Sequence, residues 1–354
     1  MSSPLLAMPG AVVADGIDAG VAAHYGDPFG EQRALVEGAG LVDRGNRGVI
    51  EVPGADRLSW LHSLTTQHLD SLPPWRGTQA LILSPHGHIE HHLVLADDGA
   101  STWLDVEPGT ASALMTFLDS MRFMLRVDPR EVSGDWAVLS LAGPSATQAL
   151  AALGGEVPPS DFDVRPLPDG GFARRMPAPG SAAFDLVIGR SGVRALADRL
   201  LAAGARPAGI WAYEALRVAA RRPRLGHETD HRTIVQEGDW VDTSVHLDKG
   251  CYRGQETVAR VHNLGRPPRR LVLLHLDGSA ETLPAHGAPV NRDDRAIGFV
   301  GTAARHHELG PIALALVKRN TPDEANLQVG EPDAAIDASI DASTDSERAA
   351  FDHV

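Results

Sequence analysis

Hydrophobic residues between positions 49 and 127 recur at two spacings. In 110–125 they return every third or fourth residue, as at Leu114, Leu118 and Leu125, and this spacing predicts a helix. Elsewhere they form short apolar blocks bounded by turn residues, which predict strands. The predicted order is strand 49–52, helix 55–69, strands 79–83, 88–95 and 102–106, helix 110–125 and an extended segment near 127. This order fits a ferredoxin-like α+β unit with one extra strand.

A second run of elements repeats this α+β logic. It comprises strand 136–141, helix 145–153, extended segments around the turn at 169–171 and at 184–188, and helix 193–203. After Arg266 the pattern contains strands without helices, at 271–276, 288–290, 296–300 and 312–317. Short strands separated by Gly, Asp and Asn turns predict a small all-β module, a barrel. The predicted fold class is therefore α+β, with two α+β units followed by a barrel.

The two ends of the chain differ from this body. The first 20 residues are rich in Ala and Gly without clear patterning, which predicts a flexible N-terminus. Seven acids and one arginine follow Gly330, a net of −6 there out of −14 for the whole chain. This low-complexity acidic composition predicts disorder from 329 to 354. The remaining body is mildly acidic, which argues against broad binding of nucleic-acid phosphates.

Cysteine content and the lack of a long apolar run limit the class of protein. The chain has one cysteine, Cys251, so neither an intrachain disulfide nor a four-cysteine iron–sulfur cluster can form within one copy. The apolar runs are too short to span a bilayer. Neither Lys nor Arg precedes Arg33, so the basic start of a targeting peptide is missing. We expect a cytoplasmic protein.

The most informative stretch is 249–256, Lys-Gly-Cys-Tyr-Arg-Gly-Gln-Glu, which we call the signature loop. It resembles the KGCYxGQE motif of the YgfZ family at every defined position, a specific match. The segments 52–58, 64–67 and 297–302 are similar to further stretches of that family. The resemblance covers the chain apart from its two ends.

This resemblance implies a three-domain ring like that of the glycine-cleavage T-protein, with tetrahydrofolate in a central hole. It implies folate and iron–sulfur client proteins or assembly factors as partners, without membrane or direct nucleic-acid binding. The expected divisions are a flexible segment 1–20, a first α+β domain from 21–47 and 133–265 that carries the signature loop, a second ferredoxin-like domain 48–132, a barrel 266–328 and an acidic tail 329–354. The implied role is an accessory factor for assembly or repair of iron–sulfur proteins.

Two residues of the signature loop are the candidate catalytic groups, Cys251 and Lys249. Cys251 lies two residues from Lys249 and two from Arg253, and nearby cations favour a reactive thiolate. Lys249 is alternatively a point charge for a folate carboxylate. The candidates for folate binding are Tyr252, Arg253, Gln255, Glu256, Arg217, His92 and Glu90. Taken without the resemblance, the loop fits a structural turn with a packed cysteine.

The chain departs from the T-protein, an aminomethyltransferase, at two segments. The T-protein's catalytic aspartate lies in a G-x-x-x-D-D-L segment, and the matching stretch 87–93 carries His91 and His92 in place of both acids. An L-R-x-E segment keeps its arginine, Arg217, but has Ala219 in place of the acid. Lost carboxylates remove stabilisation of a reacting amine. Folate binding is therefore favoured, and folate-dependent one-carbon transfer is the alternative.

Histidines and arginines suggest rival chemistry. Residues 227–231 match HExxH, a zinc-protease pattern that needs a helix, but Pro223 and Gly226 argue against one. Zinc hydrolysis is therefore a remote alternative. On strand 88–95, His88, Glu90 and His92 are predicted to share a face, which favours a polar lining, and no metal ligand is assigned. Arginines at 217–224 and 253–270 indicate either local salt bridges or a cationic lining.

Overall fold

The computed structural model describes residues 2–238, 240–279, 281–331 and 335–342. Its helices are α1 (Pro28–Glu37), α2 (Arg57–Leu64), α3 (Ala111–Ser120), α4 (Ala146–Ala151), α5 (Val193–Ala202), α6 (Ile210–Ala219), α7 (Val241–Ser244) and α8 (Gln255–Leu264). Its strands are β1 (Val12–Val13), β2 (Ala22–His24), β3 (Gly40–Asp43), β4 (Gly48–Pro53), β5 (Arg76–Leu83), β6 (Ile89–Asp97), β7 (Ser101–Val106), β8 (Arg130–Glu131), β9 (Trp136–Ala142), β10 (Val164–Pro166), β11 (Phe172–Met176), β12 (Ala183–Gly189), β13 (Arg206–Ala208), β14 (Arg269–Leu276), β15 (Pro289–Arg292), β16 (Arg295–His306), β17 (Gly310–Lys318), β18 (Leu327–Val329) and β19 (Ile336–Ile340). Within these residues, no helix has both the length and the hydropathy to cross a membrane.

One sheet has five antiparallel strands in the order β5-β6-β7-β4-β8. Helices α2 and α3 cover one face, where Leu93 and Leu104 of the sheet belong to the same core as Trp60 of α2. Successive side chains of a strand point to opposite faces, so this core takes every second residue. Both helices are shorter than the hydrophobic pattern predicted. Helix α2 ends at Leu64 where the prediction extended to 69, and α3 ends at Ser120 where it extended to 125.

The other large sheet has six strands in the order β10-β11-β12-β9-β3-β13. The pair β3–β13 is parallel and the remaining pairs are antiparallel. Helices α4 and α5 contribute Leu150 and Leu200 to a core with Leu139 and Phe184 of the sheet. This helix-covered face is the counterpart of the α2–α3 face of the five-stranded sheet.

The uncovered faces of the two sheets pack against each other. Near the middle this contact is apolar and includes Val49, Val138 and Phe172. Alternate residues of a strand share a face, so Arg174 follows Phe172 on β11 and Asp105 follows the half-buried Trp103 on β7. The contact between the sheets therefore has an apolar part and a charged part, and the charged part borders the cavity described below.

The C-terminal strands form a closed barrel in the order β14-β17-β16-β15-β18-β19, with β19 pairing back to β14. Barrel residues Leu273, Ile312 and Leu314 pack against Ala215 and Val218 of α6. Helix α6 therefore joins the barrel to the body. The predicted class, α+β with a C-terminal barrel, is confirmed.

The N-terminal segment packs against the body, so the predicted flexible terminus is wrong over residues 2–20. Leu5 is 2% exposed and lies in the core of the six-stranded sheet. Strand β1 pairs with β2, and Asp18 lies 3.0 Å from Arg224. A single buried leucine and a two-residue strand are too short to produce a detectable period.

The acidic C-terminal segment contains a strand. Residues 336–340 form β19, which pairs with both β14 and β18, so the predicted disorder is wrong for this stretch. Ile336, Ala338 and Ile340 alternate with exposed Asp337 and Ser339, which is a strand pattern that the acidic composition hid. Positions 343–354 lie outside the described residues.

Candidate ligand-binding site

A cavity of about 120 Å³ lies where the two sheets meet α6 and the segment 222–243, and we call it the central cavity. Five arginines and two carboxylates line it, and further carboxylates behind the lining, among them Asp105, Glu214 and Glu228, pair with these arginines. The polar lining consists of Arg44, Arg47, Gln79, His92, Glu107, Asp185, Tyr213, Arg217, Arg222, Arg224, Trp240 and Thr243. The apolar lining consists of Val94, Met176, Pro177, Ala178, Pro179 and Pro223.

Arginines bind the carboxylates that project from the strands beside this cavity. Arg47 donates to Asp105 at 2.9 Å and to Glu107 at 2.8 Å. Arg174, which is fully buried, lies 2.7 Å from Asp105 and 3.1 Å from Asp185. Burial by itself raises the pKa of Glu107, but the neighbouring arginines outweigh burial and hold it well below its usual value. Each of these carboxylates is paired with at least one arginine.

A second set of ion pairs connects α6 to the barrel. Arg217 donates to Glu214 at 2.7 Å, to Glu228 at 3.1 Å and to the hydroxyl of Thr302 at 2.6 Å. Arg224 lies 3.1 Å from Glu214. Burial raises the pKa of Glu214, but Arg217 and Arg224 outweigh it and hold this pKa at about 2. Arg217, one of the predicted folate-binding residues, lines the cavity, and its guanidinium is engaged by protein groups.

His92 is a neutral hydrogen-bonding group in the cavity wall. Burial lowers its pKa to about 4, so the imidazole is uncharged at neutral pH. Its Nε2 donates to Gln79 Oε1 at 2.8 Å, which leaves the lone pair on Nδ1. Nδ1 is buried and has no hydrogen-bond partner among the described residues. A buried acceptor without a donor is costly, so a ligand donor here is stabilised.

Aromatic side chains supply flat surfaces to the same cavity. The guanidinium of Arg44 lies 4.6 Å from the ring centroid of Tyr213. Trp240 is 3% exposed, and its ring lies 5.9 Å from that of His92. The central cavity therefore combines planar apolar surfaces, a neutral acceptor and a wall rich in arginine.

The signature loop lies elsewhere, packed on the five-stranded sheet and α2. Tyr252 belongs to a core with Leu81 of β5 and with Trp240. The amide of His246 donates to Thr66 just after α2 at 3.0 Å. The loop therefore does not pack with the six-stranded sheet, in contrast to its predicted place in the first domain. Apart from His92 and Arg217, none of the predicted site residues lines the central cavity.

Lys249 closes the C-terminal end of α2. It is 5% exposed, and its ammonium donates to the carbonyls of His62, Thr65 (2.5 Å) and Gln67 (3.0 Å). The last carbonyls of a helix lack partners within the helix, and the helix dipole favours a cation there. Burial lowers the pKa of Lys249 to about 8. Lys249 is therefore engaged at the end of α2 and is not part of the lining of the central cavity.

Cys251 is exposed, and the cations that flank it in sequence have other partners. Lys249 is engaged at α2, and Arg253 lies 3.1 Å from Glu90. The predicted activation of the thiol by these two cations therefore loses its support. Gln255 and Glu256 begin α8. Gly254 precedes them with φ of 80°, and a Cβ there would lie 2.6 Å from the carbonyl oxygen of Ser84.

The strand that carries the histidines contains a bulge. The register of β6 with β5 shifts at Glu90, which is the extra residue. Glu90 is exposed beside Arg253, whereas His92 points into the cavity wall. The predicted shared face of His88, Glu90 and His92 is wrong, because one inserted residue inverts the alternation of side chains.

The HExxH segment does not form a metal site. Residues 227–231 form turns, and Glu228 is 1% exposed with its carboxylate bonded to Thr302 at 2.6 Å. Throughout the part of the chain that the structure describes, no group of His, Cys, Asp and Glu side chains is arranged to hold a metal ion. The zinc hydrolase alternative has no structural support, because the helix it requires is absent from these turns.

Two sheets enclosing an arginine-lined cavity, with a barrel docked on α6, define a protein of the T-protein-like class. A family model described as the GCVT N-terminal domain matches residues 21–249, and one described as the glycine cleavage T-protein C-terminal barrel domain matches residues 269–344. The chain belongs to the glycine cleavage T-protein family.

A relative from Arabidopsis thaliana, 26% identical over 86% of this chain and 71% of its own length, is named a putative transferase, and other relatives are named aminomethyltransferases. The aminomethyltransferase of Geobacillus kaustophilus is 30% identical over 307 residues, which cover 81% of this chain and 81% of the relative. The aminomethyltransferase of Symbiobacterium thermophilum is 28% identical over 313 residues, which cover 83% of this chain and 82% of the relative. The crystal structure of glycine cleavage system aminomethyltransferase T from Bartonella henselae aligns with a TM-score of 0.84 over 96% of this chain and 95% of that one, at 20% identity, which establishes the fold alone.

Sequence reasoning missed most of the cavity lining. Glu107 and Asp185 of the lining were not singled out, nor were Asp105 and Arg174, which pair with lining residues. Asp105, Arg174 and Asp185 lie within strands that are mostly buried, and Glu107 directly follows one. Burying a charged side chain costs free energy unless the charge is paired. Charged residues in or beside a buried strand are therefore a sequence signal that could have identified these residues. Their partners could not be read from sequence, because they lie on other strands.

Proposed function

We propose that the central cavity binds a reduced folate. A folate joins a flat pterin, whose edge carries N–H donors, to a benzoyl-glutamate that carries carboxylates. The lining offers a counterpart for each part, because Trp240 and Tyr213 present planar surfaces, His92 presents an acceptor and the arginines present cations. The observation that carries the proposal is this combination of groups in the cavity of a T-protein-type fold.

Within this proposal, His92 orients the pterin. Its Nδ1 accepts a hydrogen bond from a pterin N–H, while Gln79 holds the ring in position through Nε2. Because His92 is uncharged, it is better suited to accept a hydrogen bond from a neutral N–H group than to bind a cationic group. This role differs from that of a catalytic carboxylate.

Calorimetric titration with 5-formyltetrahydrofolate, a stable reduced folate, tests the proposal. We expect a dissociation constant on the order of 10 μM for the wild type. Replacing His92 with Phe removes one hydrogen bond worth about 1.4 kcal/mol, which is about a tenfold loss of affinity. His231→Phe, at an exposed histidine outside the cavity, is the matched control and should bind as the wild type does. Absence of binding to the wild type would refute the proposal.

Folate-dependent one-carbon transfer is the candidate activity that the names of the relatives favour. The two carboxylates in the cavity wall, Glu107 and Asp185, are already paired with arginines, so a transferase here has to hold its amine by other groups. Incubation of the purified protein with tetrahydrofolate and a methylamine donor tests this activity. Turnover above that of a buffer control supports a transferase, and its absence alongside tight folate binding argues against one.

Support of iron–sulfur proteins is the second candidate, favoured by the exposed thiol of Cys251 in the signature loop. A thiol outside the cavity is free to react while folate is bound. In a deletion strain, [4Fe–4S] enzymes should lose activity, and Cys251→Ala should fail to restore it whereas the wild type succeeds. Unchanged enzyme activities after deletion would remove this candidate.

A further inference from the structure

A second recess lies on the surface between α8 and the turn that precedes β6. Its volume is about 560 Å³. Four side chains that are cationic or can gain a proton line it, namely His86, His88, Arg260 and Arg266, and we call it the anion groove. No carboxylate is part of its described lining.

These four side chains are not neutralised by ion pairs among the described residues. Asp230 and Glu237 flank Ile234 of the groove wall in sequence, but both bind Arg269, at 2.7 and 2.8 Å. Glu256 precedes Arg260 by one turn of α8 and forms no ion pair with it within the described structure. The groove therefore keeps its positive charge in a chain whose net charge is −14.

Contacts between its two walls hold the groove open. The hydroxyl of Thr257 on α8 donates to the carbonyl of His86 at 2.8 Å. His88 forms a backbone bridge with Ile234 on the other side. Gly254 packs directly against Ser84 of the same turn. A preformed wall lowers the ordering cost of binding a ligand.

The charge and size of the groove indicate the chemistry of its ligand. Guanidinium groups match phosphate and carboxylate oxygens through paired N–H donors, and two arginines with two histidines suit several closely spaced anionic groups. The acidic body repels a long polyelectrolyte. We propose that the anion groove binds a small polyanion with closely spaced phosphate or carboxylate groups, independently of the folate in the central cavity.

Titration of the full-length protein with inorganic tripolyphosphate and with citrate, at about 50 mM salt to limit screening, tests the proposal. Arg260→Gln/Arg266→Gln should weaken binding by about tenfold or more. The matched control is Arg33→Gln/Arg206→Gln, which removes the same charge at two exposed arginines outside the groove and should weaken binding less than about twofold. Whichever anion binds more tightly identifies the ligand as a phosphate or a carboxylate.

Equal weakening in both double variants would overturn the proposal, because it would show a response to net charge alone. Failure of both anions to bind the wild type would overturn it as well. His86→Gln, a single change at an exposed position, should weaken binding in a protein whose unfolding transition matches that of the wild type. The groove variants should bind 5-formyltetrahydrofolate normally, so failure of folate binding and failure of the groove are separate results.

Discussion

Replacing Lys249 with Met removes a buried ammonium and keeps an unbranched side chain of similar length. We predict that this variant unfolds more easily, because the carbonyls of His62, Thr65 and Gln67 lose their donor at the end of α2. A catalytic lysine would behave differently, since its loss would reduce activity and leave the fold intact. The variant therefore separates a structural from a catalytic role.

The size of the effect follows from the contacts of the ammonium. A hydrogen bond from a charged donor contributes roughly 1.5–3 kcal/mol net, and a cation at a helix C-terminus adds about 0.3–1 kcal/mol. Desolvation opposes these gains, as the lowered pKa of Lys249, about 8, indicates. We therefore expect the free energy of unfolding to fall by about 2–4 kcal/mol, a large part of the 5–15 kcal/mol that is typical of native proteins.

Guanidinium chloride unfolding, followed by tryptophan fluorescence, measures this loss. The chain has two lysines, and the second, Lys318, is exposed at the end of β17. Lys318→Met removes the same charge without a buried contact, so it should change the free energy of unfolding by no more than about 0.5 kcal/mol. Equal midpoints for the two variants would refute the structural role of Lys249.

The pH dependence gives an independent check. The folded pKa of Lys249, about 8, lies below the value of about 10.4 for an unfolded chain, so the unfolded state binds more protons between these values. Protonation of the buried amine costs stability, so an increment that is present above pH 10.4 is lost as the pH falls to 8, in addition to the effect of the hydrogen bonds. The wild type should therefore gain stability relative to Lys249→Met as the pH rises from 8 to 10.4. A constant difference across this window would contradict the lowered pKa.

Three further variants test other parts of the structure. Arg174→Leu leaves Asp105 and Asp185 as buried charges without this partner, so thermal unfolding should report a loss of about 3–5 kcal/mol, and a shift near zero would contradict the ion-pair network. Cys251→Ala should abolish labelling of the native protein by a thiol reagent while folate affinity stays unchanged; residual labelling is inconsistent with a single accessible thiol. Glu228→Gln should lower stability by about 1–3 kcal/mol with the zinc content unaltered, whereas bound zinc lost on mutation would restore the metal hypothesis.

The elements that the sequence predicted well are those with a local period. The helix α5 and the barrel strand β14 agree with the predicted 193–203 and 271–276 to within about two residues at each end. Strand β19 was missed, although it alternates, because composition outweighed pattern in the interpretation of the acidic tail. Local periodicity was therefore sufficient for the fold class and insufficient at the ends of the chain.

The central cavity depends on contacts that no local pattern contains. Arg174 and Asp105 are 69 positions apart and meet because two sheets place β11 and β7 face to face. The extra residue of the bulge, Glu90, does not share a strand face with His92. The hydrophobic period of a sequence cannot show where such an insertion occurs. The residue types of the signature loop indicate the family that the chain resembles. They do not show where the side chain of Lys249 points, because its partner is the end of α2, nearly 190 positions earlier.

The electrostatics of the central cavity separate folate binding from amine transfer. Glu107 and Asp185, the two carboxylates of the wall, are both paired with arginines, so neither is left over to hold a protonated amine. A neutral His92 cannot balance a developing positive charge, whereas an aspartate in the same place would do so. His92→Asp should therefore weaken binding of 5-formyltetrahydrofolate, since it adds a negative charge beside a ligand that itself carries carboxylates, and it should favour any amine transfer that the protein performs. Measuring affinity and turnover on this one variant distinguishes a cavity specialised for binding from one that retains the chemistry of its relatives.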